Sequence, residues 1–192
     1  MLDADTAARV APELKLVDEQ IQRMRLIVAQ LLQFARPTEF AGYVETLAPE
    51  QALEDCLVLV GHLLARTRVE LHRDFSATRA VAVNRQELQQ VLVNLLVNAV
   101  QAMEAKGGGT LSLATRDADA DAVEISVADT GPGLAPDLLA QLFQPFVTRK
   151  REGTGLGLWI SRGIVERYGG DITAANRPEG GARFTLRLRS ER

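Results

Sequence analysis

The segment from residue 84 to about residue 105 limits the fold of this chain more than any other. It contains QVLVNLLVNAVQAM at residues 90–103, a run built almost wholly from Val, Leu and Ala. At about 100° per residue, the polar side chains fall within an arc of about 80°, and the rest of the circumference is apolar. These polar residues are Glu87, Gln90, Asn94, Asn98 and Gln101. Such a helix is expected to be buried on nearly every side except along one narrow groove.

Periodicity elsewhere predicts strands and further helices around this one. Asn84 with Glu87 resembles a capping box at the start of the central helix, and glycines 107–109 end it. Helical spacing covers 49–66 and 155–168, with a short helix near 137–143. Alternation predicts strands near 43–47 and at 69–75, 79–83, 110–116, 122–128, 171–176 and 182–189. We expect 69–75 and 79–83 to form a hairpin. The pattern predicts a two-layer α/β sandwich, with a mixed sheet under about three helices.

Composition and charge exclude several classes of function. With 192 residues, 46% of them hydrophobic, the chain can bury a real core. Its net charge of −3 argues against an extended basic surface for nucleic acid or anionic lipid. The single cysteine, Cys56, excludes an internal disulfide, and no apolar run approaches the roughly 20 residues of a membrane span. We therefore expect a cytoplasmic chain without membrane contact of its own, although the parent protein could be anchored elsewhere.

A second helical pattern precedes this domain. Its apolar residues alternate in spacing between four and three, and Arg36-Pro37 ends the helix. They are Val10, Leu14, Val17, Ile21, Met24, Val28, Leu31 and Ala35. The pattern predicts a helix that pairs with another helix, and a homodimer through residues 10–35 that is non-native if the natural partner helix is missing. The alternative is an amphipathic helix packed on its own domain. We assign 1–36 to a partial dimerisation domain, 37–48 to a linker with the first short strand, and 49–192 to the main domain.

Three segments favour a phosphate-bearing ligand in the groove. Amides in a nearly buried groove need polar partners, and an Asn oxygen suits Mg²⁺, which often takes other ligands from water and substrate phosphates. In ADTGPGL, residues 128–134, two glycines allow close approach of a ligand and Asp129 can accept from an exocyclic amine; taken alone, this heptapeptide is more typical of a strand-ending turn. In EGTGLGLWISRG, residues 152–163, three glycines precede and open a helix whose N-terminal N–H groups suit phosphate. The spacing matches neither a dinucleotide fingerprint nor a Walker loop.

In order and spacing, these segments and LFQPFVTRK resemble the sensor histidine kinases and, more broadly, the GHKL or Bergerat ATPase superfamily. NLLVNAVQA resembles the N box, DTGPGL the G1 box, LFQPF the F box and GTGLGL the G2 box. The helix ending in FARP resembles the second helix of the dimerisation and histidine-phosphotransfer hairpin in nitrogen-regulation sensor kinases. The resemblance implies the Bergerat fold, ATP as the substrate with ADP as the product, and Mg²⁺ as the cofactor.

The resemblance also implies roles for individual residues. Asn98 would be the Mg²⁺ ligand, Asn94 would contact phosphate or metal-bound water, and Asp129 would accept from the adenine amino group. The other nucleotide-binding residues implied are Gln101, Gly131, Gly133, Thr148, Lys150, Gly153, Thr154, Gly155, Leu156, Gly157, Leu158 and Thr185. Glycines 131 and 133 would line the adenine side, residues 153–158 the phosphate side, and Thr185 would reach adenine through water. Lys150, with its neighbours Arg149 and Arg151, would neutralise the γ-phosphate; the alternative is a solvated basic cluster.

Position 94 separates the branches of this superfamily. In hydrolases that resemble gyrase or the mismatch-repair ATPases, a Glu four residues before the metal-binding Asn activates water. Asn94 occupies that position, and an amide cannot take the proton. The residue therefore favours phosphoryl transfer over hydrolysis, with catalysis mainly by positioning and charge neutralisation.

The phosphoacceptor of the family is a histidine followed by Glu or Asp, and neither His62 nor His72 is followed by an acidic residue. We expect a protein-histidine kinase region that transfers the γ-phosphoryl group of Mg-ATP to a histidine on a helix absent from this chain. A response-regulator aspartate would be the next acceptor, and the chain alone would not autophosphorylate. Two alternatives stay open: a scaffold whose nucleotide pocket is only regulatory, and a kinase of the anti-sigma type that phosphorylates a partner's serine.

Overall fold

The computed structural model describes residues 14–17, 20, 21, 24, 28, 43–150 and 153–191. From residue 45 onward the described chain forms a mixed sheet with helices on one face, which confirms the two-layer α/β sandwich. Its elements are β1 (Glu45–Leu47), α1 (Pro49–Arg66), β2 (Val69–Phe75), β3 (Val81–Val83), α2 (Arg85–Glu104), β4 (Gly109–Asp119), β5 (Ala122–Ala128), α3 (Pro136–Leu139), α4 (Gly157–Arg167), β6 (Asp171–Asn176) and β7 (Ala182–Arg189).

The main sheet has five strands in the order β2-β4-β5-β7-β6. The β2–β4 pair is parallel, with Val69 opposite Gly109, and the other pairs are antiparallel. A parallel pair needs a crossover connection, and here α2 is part of it. The topology therefore carries α2 across one face of the sheet.

The expected hairpin between 69–75 and 79–83 is wrong. β3 pairs instead with β1 in a separate two-stranded sheet. The residues that would have formed the turn of this hairpin lie alongside β4 instead. Ser76 N donates to Thr115 O at 2.9 Å, and Thr78 N donates to the Asp117 carboxylate. The neighbour of β2 is therefore a strand about 40 residues away in sequence rather than the adjacent β3.

Helix α2 lies in the middle of the helical layer, between α1 and α4. Its start is capped as predicted, since Asn84 Oδ1 accepts from Glu87 N at 3.0 Å. Its apolar residues are buried around most of the circumference: Leu88, Val91, Leu92, Leu95, Leu96, Ala99, Val100 and Met103. On β5 and β7, alternate residues such as Ile125 and Leu186 face this layer and are fully buried. The expected burial of the central helix is confirmed.

The pattern at Val10–Ala35 lies largely outside the described residues. Leu14, Val17, Ile21, Met24 and Val28 are described, and each is helical and exposed. None of the helices in the described part of the chain is both long and apolar enough to cross a lipid bilayer.

Candidate functional site

The polar stripe of α2 divides into two parts. At the N-terminal end, Glu87 accepts hydrogen bonds from Arg167 and Tyr168 at the end of α4. Two turns later, Asn94 lies against Gly157 and Ser161 near the start of α4, so the two helices run in opposite directions. In the second part of the stripe, Asn94 contacts α4, and Asn98 and Gln101 contact Lys150 in the segment that precedes α4.

The start of α4 lies directly against Asn94. Asn94 Nδ2 donates to Ser161 Oγ at 3.0 Å, and Ser161 Oγ donates to Gly157 O at 2.9 Å. A Cβ at Gly157 would lie 2.6 Å from Asn94 Oδ1, so a larger residue at this position would displace the Asn94 side chain. Leu156, the residue directly before α4, is fully buried and anchors the start of the helix. The N–H groups of the first turn of α4 are thereby placed beside the polar groove of α2.

Lys150 links the preceding segment to α2. Its Nζ donates to Asn98 Oδ1 and to Gln101 Oε1, both at 2.6 Å. Asn98 Nδ2 in turn donates weakly to Asn94 Oδ1 at 3.4 Å. Lys150 is exposed as a residue, yet desolvation of its ammonium group lowers its pKa.

The donor set fits a magnesium ion held jointly with a nucleotide. The Asn98 oxygen already accepts from a cationic group, which shows that it is directed at a position suited to positive charge. No group of three or more His, Cys, Asp or Glu side chains that could hold a metal occurs among the described residues. A magnesium ion here would therefore take its other ligands from water and phosphate oxygens, as Mg²⁺ commonly does.

Asp129 lies at the end of β5 with only 2% of its surface exposed. Its Oδ1 accepts from Gly131 N at 2.8 Å and from Ala182 N at 3.4 Å. Burial raises the pKa of this carboxyl, and the two backbone hydrogen bonds oppose that effect. Both bonds end on the same oxygen, so the second oxygen can accept from a ligand amine.

The loop after Asp129 packs on the C-terminal part of α2. A Cβ at Gly131 would lie 3.0 Å from Ala102 Cβ, and Lys106 Nζ donates to Gly131 O at 3.1 Å. Asn98 precedes Ala102 by one helical turn, a rise of about 6 Å. The carboxylate region and the amide region are therefore neighbours along one helix.

The segment before α4 is held by short-range contacts. Thr148 Oγ1 accepts from Lys150 N at 3.1 Å, and Gly153 packs against Thr148. Thr154 Oγ1 accepts from Leu156 N at 3.4 Å. Gly155 packs against the backbone of residues 146 and 147, and Leu158 is half-buried in the first turn of α4.

The basic residues of this segment do not act as one cluster. Arg149 forms an ion pair with Asp137 in α3, whereas Lys150 reaches α2. Arg151 lies outside the described residues. Gly133 packs away from these residues, beside Asn176 at the end of β6.

The structure separates Thr185 from the Asp129 carboxylate. The β7 residue whose amide reaches that carboxylate is Ala182. Thr185 lies three residues further along, opposite Ser126, which corresponds to about 10 Å of strand. Because side chains alternate along a strand, it projects from the face opposite to the helices. A contact between Thr185 and a base held by Asp129 is therefore not supported.

Several residues that hold the site were not identified from the sequence. Ser161 supports Asn94, and Asn176, Arg177 and Gly181 contact the Asp129 loop from the β6–β7 turn. The motif Gly157-x-x-x-Ser161 has the i, i+4 spacing that allows a hydroxyl to bond a helical carbonyl, and this could have identified Ser161. His62 and His72 are exposed, on α1 and β2 respectively.

Comparisons with known proteins agree with this arrangement. Residues 83–192 match the family described as histidine kinase-, DNA gyrase B-, and HSP90-like ATPase. The chain is 36% identical over 179 residues to the signal transduction histidine-protein kinase AtoS of Escherichia coli (strain K12), covering 91% of this chain and 28% of that protein. The catalytic domain of histidine kinase ThkA, in a nucleotide-free form, aligns with a TM-score of 0.68 and 29% identity over 76% of this chain and 95% of that domain. Full-length ShkA in complex with AMPPNP aligns with a TM-score of 0.72 and 28% identity over 100% of this chain and 40% of that one.

Proposed function

The chain belongs to the histidine kinase-, DNA gyrase B-, and HSP90-like ATPase family, and on that premise we propose that it is the catalytic region of a sensor histidine kinase. In this proposal it binds Mg-ATP and transfers the γ-phosphoryl group to a histidine that the chain itself does not supply. The chain spans 28% of the length of AtoS, so the activity of the whole protein is part of the proposal.

The environment of Asn94 is the observation that favours phosphoryl transfer over ATP hydrolysis. Its amide donates to Ser161 Oγ and lies beside Gly157 at the start of α4. An amide at this position orients neighbouring groups but cannot remove a proton from water. The site therefore has the means to hold a triphosphate and lacks, at this position, the base that a hydrolase of this family would use.

Of the other residues in this proposal, some contact the adenine base of ATP and the rest contact its phosphates. Asp129 accepts from the adenine amino group with its second oxygen, and Gly131 lets the loop after Asp129 pack closely on α2. The backbone N–H groups at the start of α4 donate hydrogen bonds to phosphate oxygens, and the helix dipole favours the negative charge of those oxygens. Lys150 neutralises the γ-phosphate: its ammonium group lies 2.6 Å from Asn98 Oδ1 and from Gln101 Oε1, and it leaves Asn98 for the phosphate when magnesium binds that oxygen.

Asn98 is the residue proposed to hold magnesium. The metal, when bound, supplies positive charge that offsets the charge on the β- and γ-phosphates. Asn94 and Gln101 orient the groups around it through their own amides. Positioning and neutralisation then account for catalysis, without a covalent step on this chain.

The wider proposal concerns partners. AtoS is named a signal transduction histidine-protein kinase. We accordingly propose a response-regulator aspartate as the onward acceptor, and a homodimer formed through residues 10–35. The exposure of Leu14, Ile21 and Val28 on described helical residues supports an apolar contact there. Sedimentation equilibrium tests the dimer, and a monomer at all concentrations would contradict it.

Two measurements test the proposed function. In the first, calorimetric titration with ATP compares the wild type with Asn98→Ala in magnesium and in EDTA. We expect the substitution to weaken binding strongly only with magnesium, because a metal ligand has no metal to hold in EDTA. Leu59→Ala, an exposed change on α1, is the control. Equal losses in both buffers would remove the metal role of Asn98.

In the second measurement, γ-labelled ATP and magnesium are incubated with the chain. We expect almost no release of free phosphate, since position 94 lacks a base. Rapid release of phosphate would overturn the assignment as a kinase. Acid-labile label on the chain alone would show that His62 or His72 is an acceptor after all.

A further inference from the structure

The turn between β6 and β7 reaches across to the loop that follows Asp129. Asn176, the last residue of β6, accepts from Leu134 N at 2.7 Å and donates to Leu134 O at 2.7 Å. One side chain thus binds both polar backbone groups of a single loop residue. Leu134 cannot shift along the loop without breaking both hydrogen bonds.

Arg177, the next residue, binds the loop at its other end. Its Nη1 donates to Asp129 O at 3.1 Å, and its Nη2 pairs with Glu179 at 2.6 Å. The side chain is only 13% exposed, although Arg is rarely buried to this extent. The guanidinium group therefore joins the backbone of Asp129 to the turn through two different nitrogens. A lysine has a single side-chain nitrogen and could not make both contacts in this geometry.

These contacts complement the one from α2. Lys106 holds the middle of the loop through Thr130 O and Gly131 O. Asn176 and Arg177 hold its two ends, at Leu134 and Asp129. The direction of the Asp129 carboxylate thus depends on a turn that has no place in the family motifs of the sequence.

We propose that Asn176 and Arg177 are positioning residues that aim the Asp129 carboxylate and so set a preference for adenine over other purines. The inference rests on the proposed function, in which Asp129 accepts from the adenine amino group. Inosine triphosphate carries a carbonyl oxygen where ATP carries that amine. A carboxylate and a carbonyl oxygen are both acceptors, so inosine triphosphate gains nothing from a well-aimed Asp129.

The test is calorimetric titration of ATP and of inosine triphosphate, each with magnesium, into the wild type and three variants. Asn176→Ala and Arg177→Ala remove the two contacts. Arg183→Ala is the matched control, because Arg183 is exposed on β7 of the same hairpin and its removal changes the net charge equally. By strand alternation it projects from the face opposite to Asp129.

We expect the ATP affinity of Asn176→Ala and Arg177→Ala to fall about tenfold or more, because small displacements of a positioning group have large effects. Their affinity for inosine triphosphate should not change, and Arg183→Ala should behave as the wild type. Arg177→Lys, which keeps the charge, is expected to lose ATP affinity as Arg177→Ala does.

Two results would overturn the inference while leaving the proposed function in place. One is a wild-type preference for ATP that all variants retain. The other is an equal loss of both nucleotides in Asn176→Ala and in both Arg177 variants, which would make these residues structural. If the wild type binds ATP no better than inosine triphosphate, the adenine role of Asp129 fails, and the inference fails with it.

Discussion

Two neighbouring glycines at the β6–β7 turn, Gly180 and Gly181, allow a test of how closely this turn packs on the backbone of Asp129. Each is replaced by alanine, and the change in the free energy of unfolding is measured. Gly180 and Gly181 have φ values of +99° and +88°, which L-residues adopt at a cost of about 1–2 kcal/mol. Alanine also lowers the entropy of the unfolded chain, an offset of about 0.4–1 kcal/mol. A Cβ at Gly180 has nothing within 4 Å. We therefore expect Gly180→Ala to cost about 1 kcal/mol of unfolding free energy.

Gly181→Ala carries the same backbone cost and a collision in addition. Its Cβ would lie 1.9 Å from Asp129 O, and ordinary contact begins near 3.4 Å, so the two strands must separate by about 1.5 Å. That shift would break the hydrogen bond from Asp129 N to Ala182 O and the one from Arg177 to Asp129 O. With each net contribution near 1 kcal/mol and one buried group left unpaired, the additional loss is about 2–3 kcal/mol.

The assay is urea unfolding followed by far-ultraviolet circular dichroism, with Gly180→Ala as the matched control. For an m-value of about 2 kcal/mol/M, the additional loss lowers the midpoint by about 1 M relative to that control. ATP affinity should fall in Gly181→Ala alone, because only that change displaces Asp129. Equal midpoints for the two variants would refute the claim that Gly181 is required by the close approach of the Asp129 carbonyl.

Two further predictions concern the charged residues of the site. Burial raises the folded-state pKa of Asp129 above its ordinary value of 3.8, so its contribution to stability is greatest below that value and is lost as pH rises through the raised pKa. Urea unfolding should therefore show Asp129→Asn gaining stability relative to the wild type over that rise, and parallel pH profiles would contradict the burial argument. Lys150→Ala should weaken ATP binding more than ADP binding, since only ATP has the γ-phosphate; an equal loss in competition titrations would exclude that contact.

Strong local patterns gave reliable helices and strands. The bounds 49–66, 122–128, 171–176 and 182–189 agree with α1, β5, β6 and β7. These segments have clear helical or alternating periodicity over their whole length. Pairing was less predictable, because β2 pairs with β4 and the partner of a strand is not recorded in its own residues. The same limitation explains the incorrect hairpin.

Residues of the site were predictable where a side chain has its own chemistry. The structure brings Asn94, Asn98, Gln101 and Lys150 together through side-chain amides and an ammonium group. Residues that act through the backbone gave little signal, since NRPEGG at 176–181 is typical of an exposed turn.

For Thr185, the role that the family resemblance implies does not agree with the strand face on which the residue lies. Phe184 and Leu186 are both buried toward the helices. Strand alternation therefore places the residue between them on the other face. The alternation of apolar and polar residues in ARFTLRLR, residues 182–189, predicts the same face for Thr185 from the sequence alone.

The hydrogen bonds around the groove also have a consequence for the order of folding. Asn94–Ser161, Asn98–Lys150 and Asp129–Ala182 join residues 67, 52 and 53 positions apart. Each contact closes a long loop, whose entropic cost is recovered only when the intervening strands and helices have paired. The nucleotide site is therefore not formed in a partly folded chain. A ligand that binds only the folded chain, at a hundred times its Kd, adds about 2.7 kcal/mol of stability, so bound nucleotide would protect the whole domain against unfolding.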